Sequence, residues 1–529
     1  MPAEGAPTRR NGEGWLVAPL CAALVAGMYF RFTHLDTKTY WHDEAMTSLG
    51  ISGHRGPEAM GQLFSGRILS PDDVLRFQRV DRSRSALDTI KRLAIEDPKH
   101  PPLYYALARL WAQTFGDSVA SLRRLSAIIS LLAFSCLYWF CALAFGRRVG
   151  LIALALLGCS PFFVLYAQEA REYSLYAVMT LLSSALLLRC LRQGTASSWG
   201  RYALVVGLSL YCHTALGLVV LAQVVFMIAR RLVASGDNGP ASRGDGRGFV
   251  PSLIAAALLF SPWLVCLVLY RAHIASNTMW VQEPMGIVKH FQWWLMGISS
   301  VFLDFRPGLN QFHPVNLASG LTLLSWAVCG MFSFLAVRSI WRGEAMEGKL
   351  LVLCLLCVPF VALLAPDMLR GGQRSTILRL LVPCFLALLI CAAYLLANLR
   401  GRPRDGLLAA CIVCGIISCS ISGSARTWWT KVASYYNPAV ADVVNAEARP
   451  LILADQFQTN GPNMLALSHE LGPRVRLLLF DDGLPPALPE GYSEVYLYNP
   501  SPALKAAARA QGFGTIAVND VPILFRLTK

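Results

Sequence analysis

The sequence predicts a mainly α, polytopic membrane protein of about 11 transmembrane helices that ends in a small α/β domain outside the membrane. Three observations predict it. The 529 residues are 55% hydrophobic and only 15% charged, whereas soluble domains run near a quarter charged. Mean hydropathy is +0.47, and the apolar residues fall in long runs separated by short basic clusters. Beyond about residue 445 those runs stop, and short β-type segments alternate with helical ones.

Candidate spans lie near 15–31, 125–145, 149–167, 173–190, 202–214, 216–230, 249–270, 315–337, 349–365, 376–397 and 405–423. Most reach the ~20 residues that a bilayer helix requires. The segments 202–214 and 216–230 are short and read as one broken span or two. The first run follows Arg9-Arg10. Arg31, His34 and Asp36 follow it, with no small-residue cleavage site, so it reads as an uncleaved span rather than a signal peptide.

Orientation comes from the basic residues. With Arg9-Arg10 in the cytoplasm, alternation puts Arg147-Arg148, Arg189 with Arg192 and Arg201, Arg230-Arg231 with Arg243 and Arg247, Arg338 with Arg342 and Lys349, and Arg400 with Arg402 and Arg404 inside. Every short inside loop is then basic, as the positive-inside rule requires. The net charge of +15 is thereby accounted for, and a nucleic-acid partner is not implied. The chain divides into a cytoplasmic tail 1–14, a transmembrane domain 15–423 and an outer domain 424–529. Outside with the last lie the loop 32–124, the loop 271–314 and the short loop 366–376.

Within the large outer loop, 74–96 has helical spacing of Val74, Phe77, Leu87, Ile90 and Leu93 among charges. It predicts one amphipathic helix at the membrane surface. The Gly/Asp/Arg-rich segment 233–248 predicts a flexible inside linker. In the tail, strands are expected at 451–454, 475–480, 495–498, 515–518 and 523–527, with helices at 462–471 and 503–511. All 15 cysteines lie in or at the edges of apolar runs, so no disulfide framework is expected. Cys354-x-x-Cys357 and Cys411-x-x-Cys414 fall mid-span, where cysteine is a small apolar residue.

Four clusters on the expected outer side could carry chemistry. Asp43 and Glu44, in Tyr40-Trp41-His42-Asp43-Glu44, offer a proton acceptor or oxygen ligands for a divalent cation; the other reading is acids at a helix N-terminus. His100 and Tyr104, in His100-Pro101-Pro102-Leu103-Tyr104-Tyr105, could bind phosphate or hydroxyl, or simply punctuate a helix start. Glu169, Arg171 and Tyr173 stand with Gln168 and Glu172 between two spans with almost no loop, where charge is costly and usually functional. If 168–173 is helical, Glu169, Glu172 and Tyr173 share one face and Gln168 and Arg171 another, so all reach one pocket only where the helix breaks. Arg374 and Arg379 flank the start of a span. They could clamp a lipid-linked phosphate or snorkel to the interface. His213 reads as a buried polar or helix-end group.

The ordered set of motifs resembles bacterial family 39 membrane glycosyltransferases, relatives of protein O-mannosyltransferases and lipid A aminoarabinose transferases. The set comprises the acidic pair, His100 to Tyr105, Leu122-Arg123-Arg124-Leu125-Ser126, Gln168-Glu169-Ala170-Arg171-x-Tyr173 and Arg379-Leu-Leu-x-Pro383, and it spans roughly residues 15–400. The resemblance implies a GT-C fold whose large first outer loop forms the active site, and a polyprenyl-phosphate-linked sugar as donor. It implies Asp43 as the base that activates an acceptor hydroxyl of a lipid, glycan or protein, with Glu44 beside it. The outer arginines would stabilise the departing phosphate, in an inverting displacement at the outer face of the plasma membrane. Metal use varies among the relatives; the resemblance allows a divalent cation on Asp43 and Glu44 without implying one, and no other cofactor is expected. In the eukaryotic mannosyltransferases Gly-Lys follows His-Pro-Pro. Leu103-Tyr104 stands here instead, which argues against protein mannosylation in particular. The sugar stays open between hexose and pentose. Two other functions fit a polytopic chain: a transporter or flippase, and an assembly subunit of an envelope polysaccharide system. A transporter predicts internal repeats and mid-bilayer charge, whereas no clear repeat is visible and the charges gather near span ends.

Overall fold

The protein, described by a computed structural model, is seen over residues 14–236, 246–305, 320–481 and 489–528. Arg9-Arg10, Arg243, most of the expected 233–248 linker and the last part of the 271–314 loop lie outside the described residues.

Among the described residues, nine helices are long and apolar enough to cross a membrane. The pair Arg147–Cys159 and Pro161–Ala167, bent by 62°, makes a tenth if it is counted as one broken span. The expected span at 202–214 is the helix Ala196–Cys212, whose 17 residues are at the short end of the length a bilayer crossing requires. The expected span at 216–230 is a separate helix, Leu216–Gly236. The two short segments are therefore two helices, divided at His213. Tyr173–Gln193 and Leu378–Asn398 are the spans buried at the centre of the bundle. Their many Ser, Ala and Cys residues allow neighbouring helices to come close.

The 62° bend has a local cause. Pro161 has no N–H to give the Leu157 carbonyl, so the helical ladder opens there. Arg31, buried at the end of the helix Val17–Phe32, fills the gap. Its Nη2 donates to Leu157 O at 3.0 Å, and its Nη1 donates to Gly158 O at 3.0 Å and Gly27 O at 2.9 Å. Each buried carbonyl left without a donor would cost about 1–3 kcal/mol. The contact demands glycine: a Cβ on Gly27 would lie 2.5 Å from Gly158 O, and one on Gly158 would lie 2.6 Å from Ala23 O.

The basic residues expected inside gather at one end of the bundle. Arg404 and Arg148 both face the Trp15 ring, at 3.3 and 5.7 Å, and Arg230 pairs with Glu347 at 2.8 Å. The acidic pair follows the other end of the same first helix.

The tail carries a mixed sheet, but not alone. Its strands are β1 Ser65–Leu69, β2 Pro450–Asp455, β3 Arg476–Phe480, β4 Glu494–Tyr498, β5 Gly514–Val518 and β6 Val521–Thr528, in the order β1-β3-β2-β4-β6-β5. β3, β2 and β4 run parallel, and β2 is buried throughout, as its unbroken Leu451-Ile452-Leu453-Ala454 run predicts. β1, which the sequence pattern does not single out, comes from the large outer loop and pairs antiparallel with β3. Loop and tail thus share one sheet. The tail helix Asn460–Leu467 also packs on the helix His42–Ser52.

The single amphipathic helix expected over 74–96 is instead two. Pro71–Leu75 runs into a short 3-10 turn, and Ala86–Glu96 starts anew. Ser85 and Asp88 form a reciprocal capping box that nucleates the second helix. Arg109 holds the turn between them, donating from Nη2 to the carbonyls of Asp81 and Arg84 at 2.6 Å each.

Candidate active site

Trp41 has an extended backbone, and the helix His42–Ser52 begins directly after it with Asp43 and Glu44 in its first turn. Two neighbours on a helix point about 100° apart, and here they meet different surroundings.

Glu44 is fully buried. Arg123, 1% exposed, reaches it with both fork arms: Nε to Oε1 at 2.8 Å and Nη2 to Oε2 at 2.6 Å. The Ala170 N–H donates to Oε1 at 2.7 Å. Burial works against ionisation, but Arg123 and then Lys431 outweigh it and hold the Glu44 carboxyl below its usual range. The remaining donors of Arg123 go to the carbonyls of Leu35, Lys38 and Thr39, at 2.7 to 2.9 Å. One guanidinium therefore fixes both the acidic turn and the strap leading into it.

Asp43 is 17% exposed and holds no such clamp. His42 Nε2 stands 3.2 Å from its Oδ1, and Arg379 Nη2 stands 3.6 Å from its Oδ2, too far for a hydrogen bond. Burial raises its affinity for a proton, but Arg379 and then His42 override this and hold the carboxyl well below the usual carboxylate range. Arg379, 26% exposed, also faces the Trp41 ring at 5.7 Å.

The segment 168–172 is a break between the helices Pro161–Ala167 and Tyr173–Gln193, so its side chains diverge from helical spacing. Gln168 Nε2 donates to the Thr33 carbonyl at 2.9 Å. Glu169 Oε1 accepts from Lys431 Nζ at 2.6 Å. Arg171 Nη1 donates to Tyr105 Oη at 2.9 Å, Thr47 Oγ1 at 3.1 Å and the Asp43 carbonyl at 3.3 Å. Its Nη2 reaches Glu172 Oε1 at 3.2 Å, and the same oxygen lies 3.1 Å from His100 Nδ1. For Glu172, burial is outweighed by Arg171 and His100, which lower its proton affinity. Tyr173 is buried with its hydroxyl unpartnered, and its ring lies 5.7 Å from the Arg171 guanidinium.

The structure thus brings Asp43, Glu44, His100, Glu169, Arg171, Tyr173 and Arg379 into one connected cluster. Tyr104 supports it from behind: its hydroxyl is 2.8 Å from Ser126 Oγ, which bonds the Arg171 carbonyl. Arg374 is not brought in. Its Nη1 goes to Asp367 at 3.1 Å, and Asp367 also takes the N–H groups of Arg374 and Ser375, which shapes the turn leading to Arg379. His213 ends its helix and lies 3.9 Å from Glu172. Sequence reasoning missed Lys431 and Tyr105 as site residues, and gave Arg123 no separate role. An arginine inside the apolar run 119–145 was the available signal for the last; Lys431 had none beyond the Trp428-Trp429 pair before it.

For a divalent cation the fit is poor. Glu44 has both oxygens on Arg123, Asp43 stands beside a guanidinium, and among the described residues no three His, Cys, Asp or Glu side chains converge as ligands.

Comparisons with known proteins agree with this architecture. Residues 99–241 match the family model of dolichyl-phosphate-mannose-protein mannosyltransferase, a stretch that holds His100, Arg123 and the 168–173 motif. ArnT from Cupriavidus metallidurans bound to undecaprenyl phosphate superposes with a TM-score of 0.53, at 14% identity over 98% of both chains. The Archaeoglobus fulgidus oligosaccharyltransferase complex with Zn and sulfate gives 0.50 at 13% identity, over 87% of this chain and 62% of that one. No curated protein matches by sequence. The chain is a multi-pass membrane protein with the GT-C glycosyltransferase fold. The resemblance to protein O-mannosyltransferases and aminoarabinose transferases, read from the ordered motifs, is borne out.

Proposed function

We propose that the protein transfers a sugar from a polyprenyl-phosphate carrier to an acceptor hydroxyl at the outer face of the plasma membrane, with Asp43 as base. The observation that carries this is the asymmetry of the acidic pair: Glu44 is buried and fully bonded, while the Asp43 side chain is 17% exposed and its Oδ2, buried beside Arg379, accepts no hydrogen bond. Asp43 Oδ takes the proton of the acceptor hydroxyl as that oxygen attacks the anomeric carbon. The bond from that carbon to the phosphate oxygen breaks on the far side, which inverts the centre. Arg379, half-buried beside the base, receives the charge gathering on the departing lipid phosphate. Lipid phosphate leaves without protonation, so a second carboxylic acid is not needed, unlike in glycoside hydrolysis. Glu44, Arg123 and Arg171 hold the turn that aims Asp43. The outer location is supported by the charge alternation and by the gathering of the site at the bundle end away from Trp15 and its arginines. The ArnT structure, which holds undecaprenyl phosphate, supports the carrier class.

Cells in which Asp43→Asn replaces the wild-type chain should accumulate a lipid-linked sugar and lack a surface glycan, as cells without the chain do. Normal glycan with a folded Asp43→Asn protein would remove Asp43 as the base.

A further inference from the structure

Lys431 lies in the tail, just past the last span, yet it is 1% exposed in the middle of the charged cluster. Its Nζ donates to Glu169 at 2.6 Å, stands 3.8 Å from Glu44 Oε2 and lies 5.0 Å over the Trp41 ring. Three residues on, Ser434 Oγ accepts the His42 N–H at 2.9 Å and bonds Asn463 of the tail helix at 2.6 Å. Trp428 and Trp429 hold this segment in place by donating their indole N–H groups to Asp304. The nearest arginine or lysine to each of the four buried or half-buried carboxylates is Arg123 for Glu44, Arg171 for Glu172, Arg379 for Asp43 and Lys431 for Glu169. Only the last comes from the tail. A lysine so enclosed and so close to Glu169 has no path to a substrate phosphate.

We propose that Lys431 is a positioning residue for Asp43. It ties Glu169 to the acidic turn and pins the Trp41–Asp43 turn against the 168–172 break, so that the tail completes the active site. The proposal rests on the transferase reading above. Glu169 faces Glu44 and Asp43 from the acidic helix, Lys38 from the strap before it, Arg123 from the helix Val119–Phe145, Tyr166 from its own side and Lys431 from the tail. Burial, with Glu44 and Asp43 beside it, raises the proton affinity of Glu169 against the opposing pull of Lys431, and without Lys431 the protonated acid is favoured further. Raising the pH then ionises it unpaired and loosens the turn.

The test uses full-length protein in detergent, with the lipid extract of cells lacking the chain as donor. Lys431→Met should lower kcat roughly 10- to 100-fold at unchanged apparent KM. Its rate should fall as pH rises from about 6 to 9, where the wild type stays level. Lys431→Arg should restore most of the rate. If Lys431→Met does not fold, the double variant Lys431→Met/Glu169→Gln removes both charges of the pair. It should fold and remain roughly tenfold slow with a level pH profile. A wild-type rate in either Met variant overturns the proposal, and failure of both to fold assigns Lys431 to folding instead. Hydrogen exchange at the amides of residues 42–48 gives a readout independent of activity. Faster exchange in the folded Met variant is expected, and unchanged exchange overturns the tie. Wild-type protein that transfers nothing sinks the transferase reading, and the exchange result still decides the role of Lys431.

Discussion

Removing the Arg379 charge should move the acidic limb of the pH–rate profile upward, and the structure bounds the size of the move. Arg379 Nη2 is 3.6 Å from Asp43 Oδ2. Two unit charges at that distance attract by about 1 kcal/mol in water and by about 5 kcal/mol at an effective dielectric constant of about 20. The groups are 17% and 26% exposed, so solvent screening takes the upper figure down to about 1.5–3 kcal/mol. Losing that attraction raises the proton affinity of Asp43. The base form of Asp43 is the ionised one. With its pKa held low by Arg379, wild-type kcat/KM should be level from neutral pH down past the usual carboxylate range, then fall. In Arg379→Met, burial acts with less opposition, Asp43 takes up its proton at higher pH, and activity is lost earlier on acidification. The overall rate also drops, because the phosphate loses a cation, but the position of the limb does not depend on its height. The assay is kcat/KM against pH from about 3.5 to 8 in detergent. An acidic limb that stays at the wild-type pH in Arg379→Met would refute the pairing, the role of Asp43, or both.

Two other perturbations bear on the same geometry. Arg123→Met leaves Glu44 a buried carboxylate without its fork and should destabilise the protein by about 3–5 kcal/mol; the thermal midpoint in detergent should fall, and Arg123→Met/Glu44→Leu should recover part of the loss. Truncation after Ser424 removes Lys431, both indoles on Asp304 and the partner of β1; the remaining membrane part should lose its compact profile in size-exclusion chromatography, whereas an intact and active product would show the tail to be a separate docking module.

Much of the fold was legible because the bilayer forces it into one dimension. A span must be long and apolar, and its inner flank basic, so hydropathy and arginine positions locate helices such as Tyr173–Gln193 and Leu378–Asn398 within a few residues. The failures have physical causes too. The 74–96 segment keeps helical spacing across Arg79–Ser85, but Ser85 with Asp88 starts a new helix, a local bond that outweighs periodicity. β1 was invisible because an edge strand of five mostly exposed residues carries no apolar pattern.

The site divides the same way. Sequence alone determined the chemistry present: a pair of carboxylates beyond the first span, an arginine at the head of a later one, and charge crowded at 168–173. The order of these motifs also determined the family they resemble. Apart from the resemblance, the residues could not say which of Asp43 and Glu44 is clamped and which is left open, because adjacent residues carry the same functional group and differ only in what each faces. Nor could sequence alone decide whether 168–173 reaches one pocket, because that depends on a helix break. Only the tertiary structure decided these: Arg123 arrives 79 residues later to consume Glu44, and Lys431 arrives 262 residues after Glu169 to neutralise it. The physical reason is that a buried charge must find its partner wherever the chain happens to pass, and separation along the sequence says nothing about that passage.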